Sequence, residues 1–212
     1  MDIINPFINK FAEEYSSKDD GLLAEIAHFT NTQHAEPHML SGQVQGRFLQ
    51  MISHMIRPKR ILEIGTFTGY SALCLAQGLD DDGIIHTIEN KPETAAIAHN
   101  FFVKSALYPK IRLHVGDAHD IIPNLDEMWD LVFIDADKPG YIDYFELVLP
   151  NIRKNGFILA DNIFFHGKVF EEEPKGKSAI GIKAFNEFIQ QRTDIEKVVL
   201  TIRDGLYLLR KL

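Results

Sequence analysis

Cysteine is nearly absent: Cys74 is the only one in 212 residues, so no disulfide can form within the chain. A reducing compartment, the cytoplasm, is therefore expected. Cys74 lies in the apolar helical pattern Leu73-Cys74-Leu75-Ala76 and reads as a small buried hydrophobe rather than a nucleophile. No run approaches the ~20 apolar residues of a membrane span. Met1-Asp2-Ile3-Ile4-Asn5-Pro6 has no basic start leading into an apolar core, so no signal peptide is expected. Basic excess is missing too. The chain has 22 Lys and Arg against 30 Asp and Glu, a net charge of −8, which disfavours nucleic acid and anionic membrane as partners. Internal repeats and low-complexity tracts are also lacking.

What is present is ordinary globular composition, 45% hydrophobic and 25% charged. The length fits one domain over residues 1–212, with a helical cap over 1–57 and an α/β core over 58–212. Phe7, Ile8, Phe11 and Tyr15 recur at helical spacing, as do Leu22, Leu23, Ile26, Ala27 and Phe29. The aromatic residues of the first set are expected in the core or at a dimer contact. A third helix is predicted from near Ser41 to before Pro58. From Arg60 the pattern alternates. Strands are predicted at 61–64, 84–88, 111–115, 131–134 and 157–160, the last after a turn at Gly156. Helices are predicted at 71–79, 92–107, just after Asp117, and at 141–152. Two-sided apolar strands separated by helices imply a parallel sheet covered on both faces. After the 164–177 loop and one more helix, strands near 196–202 and 206–210 are joined only by Arg203-Asp204-Gly205. That is hairpin length, so the last strand should run antiparallel.

The segment Ile64-Gly65-Thr66-Phe67-Thr68-Gly69-Tyr70-Ser71 reads as strand, tight turn and helix start. Glycines let a backbone approach a ligand beside a helix N-terminus. A dinucleotide fingerprint would carry glycine where Phe67 stands, so a pyrophosphate has no room. A nucleotide-derived ligand without phosphate fits better, and Glu63 suits an ammonium or a sulfonium-bearing amino acid. Glu89 ends the second strand, where an acid pairs with ribose hydroxyls. Gly116-Asp117-Ala118 follows the third strand and could border an adenine edge. Together these describe a pocket for S-adenosylmethionine (SAM).

Asp135 in Phe133-Ile134-Asp135-Ala136-Asp137-Lys138 and Asp161-Asn162 after Phe157-Ile158-Leu159-Ala160 each end an apolar run. Neighbouring strands ending this way would set two carboxylates and an amide oxygen at one sheet edge, a hard-cation site with oxygen ligands. Taken singly, the two acids could be helix caps and Lys138 a solvated surface lysine. Asp137 reads as a cap or a supporting partner.

From about Met39 onward the sequence resembles the cation-dependent O-methyltransferases, the group containing the caffeoyl-CoA and catechol enzymes. The matching motifs are 61–71, Ile134-Asp135-Ala136-Asp137-Lys138, Ala160-Asp161-Asn162 and Asp204-Gly205-Leu206. The resemblance implies a Rossmann-like seven-stranded methyltransferase sheet, SAM as donor, a divalent cation (magnesium by default, calcium or manganese also suited) and a homodimer. It places Asp135, Asp161 and Asn162 at metal-ligand positions, and Lys138, with Asp135, at the catalytic centre. It places Glu63, Gly65, Ser71, Glu89, Asp117 and Ala118 at donor positions. Met39, Thr66, Phe67 and Gly69 around them, and Asp135, complete the expected donor site. The expected substrate is a small catechol-type phenol.

Some details depart from the plant enzymes. In Met39-Leu40-Ser41-Gly42-Gln43-Val44-Gln45-Gly46, Val44 and Gln45 stand where acids are found, while Ser41 could keep a hydroxyl near the metal. Phe164 and Phe165 stand near a tryptophan position and could wall a planar ring. His28, His34 and His38 match no metal-ligand spacing and read as solvent-facing or substrate-lining. Methylation of a hydroxylated tRNA nucleoside, a dinucleotide oxidoreductase and a silent SAM-binding module are the rival readings.

Overall fold

The computed structural model describes residues 5–19 and 21–212; the leader reading of residues 1–4 lies outside them. Seven strands form one sheet in the order β3-β2-β1-β4-β5-β7-β6. They are β1 (Arg60–Ile64), β2 (Ile84–Glu89), β3 (Ile111–Val115), β4 (Trp129–Ile134), β5 (Ile152–Asp161), β6 (Ile195–Leu200) and β7 (Leu206–Lys211). β1 through β5 pair in parallel, and β7 runs antiparallel to both β5 and β6. The expected seven-stranded sheet with an antiparallel last strand is what the chain forms.

The helices are α1 (Pro6–Tyr15), α2 (Gly21–Gln33), α3 (Gln43–Ile56), α4 (Tyr70–Ala76), α5 (Pro92–Phe102), α6 (Ala118–Ile121), α7 (Tyr141–Val148) and α8 (Lys177–Gln191). Strand alternation divides the core. Leu62, Ile64, Val132, Ile134, Ile158 and Ala160 pack with Tyr141, Phe145, Ile182 and Phe185 from α7 and α8. Ile61, Leu131, Phe133 and Leu159 face the other way, against Leu73, Leu75, Ala98 and Phe102 from α4 and α5. Leu23, Ile26 and Leu49 bring α2 and α3 into that second layer. Each fully buried large side chain contributes roughly 1.5–3 kcal/mol. Cys74 is buried there, and burial pushes its thiol well above the usual range, as suits an inert core residue.

Four expectations are corrected. α1 forms, but Phe7, Phe11 and Tyr15 are 81%, 58% and 75% exposed, so they are not core. Their side chains share one helix face that no described element covers. β5 begins at Ile152, not after Gly156; Ile152 already pairs with Trp129. The kink at Asn155 (φ 64°) and Gly156 sits inside the strand as an irregularity in its pairing with β4. α7 stops at Val148 because Pro150 lies in the 3₁₀ turn that follows. α5 stops at Phe102, five residues short of expectation, where Lys104 and Ser105 turn back onto Phe101 and Phe102 carbonyls.

The strand order reverses between β1 and β4. Chains leaving these two strands diverge, which opens a crevice at their carboxyl ends. The walls there are close. At Gly65 (φ 102°) an added Cβ would lie 2.0 Å from the Asp135 carbonyl oxygen, so only glycine fits beside the end of β4.

Candidate active site

One cavity of ≈ 520 Å³ occupies this crevice. Its lining includes Met39, Gly65, Thr66, Phe67, Ser71, Glu89, Asp117, Ala118, Asp135, Lys138, Asp161 and Asn162. Of the expected donor, metal-ligand and catalytic residues, only Glu63 and Gly69 do not line it. Gly69 (φ 88°) starts α4 and packs against the Phe102 ring. Glu63 is fully buried under the turn and accepts a hydrogen bond from the Thr87 hydroxyl. Burial is the main cause of its carboxyl being pushed up to about 8.

That shift has a testable sign. The folded protein keeps Glu63 protonated at pH values where the unfolded chain has lost that proton. Stability tied to this group is therefore lost as pH rises from the ordinary carboxylate range through about 8. Chemical denaturation of wild type and Glu63→Gln at pH 5 and pH 9 should show the variant gaining on wild type at the higher pH.

The part of the cavity beside Glu89 is tied by hydrogen bonds from backbone N–H groups. Glu89 Oε2 accepts from the Phe67 N–H at 2.9 Å, and Oε1 accepts from the Lys91 N–H at 3.1 Å. This holds Phe67 at φ 49°, a conformation a non-glycine residue rarely adopts. Glu89 therefore shapes the turn as well as facing the cavity. Asp117 caps α6, accepting from the His119 N–H and ring at 2.8 Å each, and these bonds hold its carboxyl below the usual range.

The other end is charged and partly dry. Lys138 Nζ donates to Asp135 Oδ1 at 3.0 Å and to the Tyr141 hydroxyl at 2.7 Å. Tyr141 is fully buried, and its hydroxyl in turn donates to the Asp161 carbonyl at 3.1 Å. Asp161 is 2% exposed. Its Oδ2 accepts from Gln45 Nε2 at 2.7 Å, and its Oδ1 from the Asn162 N–H at 2.7 Å. Burial raises the Asp161 carboxyl, and the neighbouring Asp135 raises it further. For Lys138, burial works against the charge, but Tyr141, Asp135 and Asp161 outweigh it and keep the ammonium favoured.

The hairpin turn braces this end. Ile163 and Phe164 donate backbone N–H groups to the Gly205 and Asp204 carbonyls at 3.2 and 2.9 Å. The Phe164 ring lies over Gly205, where an added Cβ would come within 2.6 Å of it. So Asp204-Gly205 receives the chain as it leaves Asn162, itself at φ 57°. Asparagine tolerates that conformation, which is a backbone reason for Asn162 beside any ligand role. Of the expected aromatic wall, Phe165 lines the cavity, while Phe164 packs on the turn.

Ser41 lines the cavity, and its carbonyl accepts from Arg203. His38 also lines it, and the His34 ring packs edge-on against Phe67 at 4.6 Å. No group of three or more His, Cys, Asp or Glu able to hold a metal ion occurs among the described residues. The Asp135, Asp161, Asn162 set has two carboxylates and an amide.

A family model described as O-methyltransferase matches residues 13–212. The chain belongs to the O-methyltransferase family. Its curated relatives include the catechol O-methyltransferase of Niastella koreensis, 34% identical over 86% of this chain and 84% of that protein. A probable caffeoyl-CoA O-methyltransferase of Dictyostelium discoideum is 31% identical over 98% of this chain and 93% of that protein. Among solved structures, the O-methyltransferase TomG from Streptomyces achromogenes, in complex with SAM, superposes with a TM-score of 0.88. It is 28% identical, over 97% of this chain and 96% of that one. The protein is thus a SAM-dependent methyltransferase of the catechol and caffeoyl-CoA group, with the fold of its relatives.

Three residues of this methyltransferase's cavity region escape a reading by sequence. Gln45 is fully buried and holds Asp161 rather than merely lacking an acid's charge. Tyr141 sits one helical turn beyond Lys138, a spacing from which their contact could have been read. Arg203 reaches the cavity from a hairpin turn and carries no local signal.

Proposed function

We propose that this protein transfers a methyl group from SAM to one hydroxyl of a small phenol bearing two adjacent hydroxyls, and that it needs a divalent cation to do so. The observation that carries the reading is that Asp135, Asp161, Asn162 and Lys138 line one cavity together with the Gly65–Phe67 turn.

The residues present fit a hard cation. The donors are all oxygen, two are carboxylates on adjacent strand ends, and one of those carboxylates is buried with its like-charged neighbour close enough to disfavour it. Gln45 Oε1, also buried, finds no hydrogen-bond partner among the described residues. Asp135, Asp161 and Asn162 would hold the ion; bound, it would supply Lewis acidity that favours ionisation of a chelated phenol.

The chain's own groups do the rest. Gln45 fixes the Asp161 carboxylate, and Tyr141 fixes Lys138. Lys138 Nζ is the group placed to take the phenol proton, and it would do so once Asp135 is engaged by something other than its ammonium. Phe165 offers a face to a planar ring. At the donor end, Glu89 and Asp117 offer acceptors for ribose and adenine groups, and Phe67 leaves no cradle for a pyrophosphate. The reading includes a homodimer. The uncovered Phe7, Ile8, Phe11 and Tyr15 face of α1 supports it.

Methyl transfer from labelled SAM to vicinal dihydroxyphenols, matched monohydroxyphenols and hydroxylated tRNA tests the assignment. Only the dihydroxyphenols should accept the label at substantial rates. Equal transfer to the monohydroxyphenols, or transfer to RNA alone, would overturn it.

A further inference from the structure

A second cavity, of ≈ 850 Å³, adjoins the first. His38, Leu40, His166, Arg203 and Asp204 line both. The second cavity lies between α1, the segment before α3 and the β6–β7 turn, on the far side of this shared wall from the SAM turn. The first cavity already has to take the donor and a ring. We infer that the second receives the acceptor's ring substituent, and that Arg203, standing at the wall between the two cavities with guanidinium donors to spare, selects acceptors whose substituent carries a carboxylate. The inference rests on the catechol reading above and deepens it.

The charges at the wall decide the sign. Among the described residues Asp204 is the only acid shared by the two cavities, but it faces the protein. Its Oδ1 accepts from the His166 N–H at 2.7 Å. Its Oδ2 is buried, 3.8 Å from His166 Nδ1, and so is not presented to a ligand. Of the two acids that line only the second cavity, Asp19 accepts from the Tyr70 hydroxyl at 2.7 Å and lies 3.6 Å from Arg47, and Glu13 is an exposed rim residue. Of the acids that line only the first cavity, Asp161 is close enough for the Arg203 charge to favour its ionised form, but its two oxygens are already taken by Gln45 Nε2 and the Asn162 N–H. Arg203 differs from all of these. Its one hydrogen bond among the described residues goes to the Ser41 carbonyl, which leaves four of its five N–H groups free. The side chain is thereby anchored at one nitrogen, while the residue is exposed and lines both cavities. Its backbone is held at φ 48°, a conformation that disfavours any residue with a Cβ. An exposed turn would adopt it more easily with glycine or asparagine, so the side chain has a use that outweighs the strain. A planar guanidinium pairs with a carboxylate through two parallel hydrogen bonds.

The test compares 3,4-dihydroxycinnamate, its primary amide and its coenzyme A thioester in wild type and Arg203→Gln. Wild type should prefer the acid over the amide, and the acid-to-amide ratio of kcat/KM should fall at least about tenfold in the variant. Arg203→Lys should keep part of the ratio. If Arg203 only ties the turn to Ser41, both acceptors lose alike and the ratio stays fixed, which overturns the inference. So does an effect of the variant on the thioester but not on the acid. Arg203→Gly, which suits the backbone, replaces the glutamine variant if that fails to fold. Absence of methyl transfer to the acid, the amide and the thioester alike in wild type would instead refute the catechol reading itself.

Discussion

Asp161→Asn should lose methyl-transfer activity by about a thousandfold while remaining folded. A bound cation's stabilisation of developing charge is worth several kcal/mol, and ~4 kcal/mol is three decades in rate. Stability should respond far less, because two effects oppose one another. The substitution removes a buried carboxylate whose ionised form is disfavoured by burial and by Asp135. It also sets an amide against two N–H donors, from Gln45 and Asn162, of which it can satisfy one with its oxygen. An unpaired donor costs about 1–3 kcal/mol, and relief of the buried charge offsets part of that. Steady-state kinetics beside urea denaturation separates the two readouts. Parallel collapse of activity and stability would make Asp161 a structural residue.

The second large effect concerns Lys138. Lys138→Ala should lower kcat by about 10²–10⁴ at neutral pH, the usual worth of a positioned base. The loss should shrink as pH rises toward ~10, where a phenol ionises without help. That pH dependence is the diagnostic part. Lys138 also neutralises Asp135 and touches Tyr141, so a variant could be impaired merely because the Asp135 carboxylate moves. Such damage would not recover with pH. The pairing also explains why Lys138 is poised rather than already deprotonated. Without another partner for Asp135, the ammonium is the favoured form.

Much of this was legible in the sequence because the site is built from strand ends. β4 from Leu131 and β5 from Ile158 are buried on both faces, so their apolar runs are continuous and their polar ends abrupt. Asp135, Asp161 and Asn162 are therefore conspicuous, and parallel pairing of β4 with β5 brings the first two together. The turn after β1 was legible for a similar reason, although Gly65 proves to be demanded by the Asp135 carbonyl as much as by a ligand. What stayed hidden depends on contacts distant in sequence. Gln45 meets Asp161 across 116 positions, and Arg203 meets Ser41 across 162. No local pattern encodes either. The start of β5 was misplaced because Gly156 reads as a turn, whereas the sheet absorbs it as an irregularity within a strand. For α1 the sequence left two readings open, and exposure removes only the core one. Its helical spacing is real, but amphipathic periodicity reports only that a face is apolar and not what covers it.

The most direct measurement is methyl transfer from SAM to a dihydroxyphenol after exhaustive chelation, followed by stepwise return of magnesium. Activity should fall at least about a hundredfold and return saturably with the added ion, with Asp161→Asn unresponsive at the same concentrations. Undiminished turnover by the stripped wild-type protein would contradict the account at its centre.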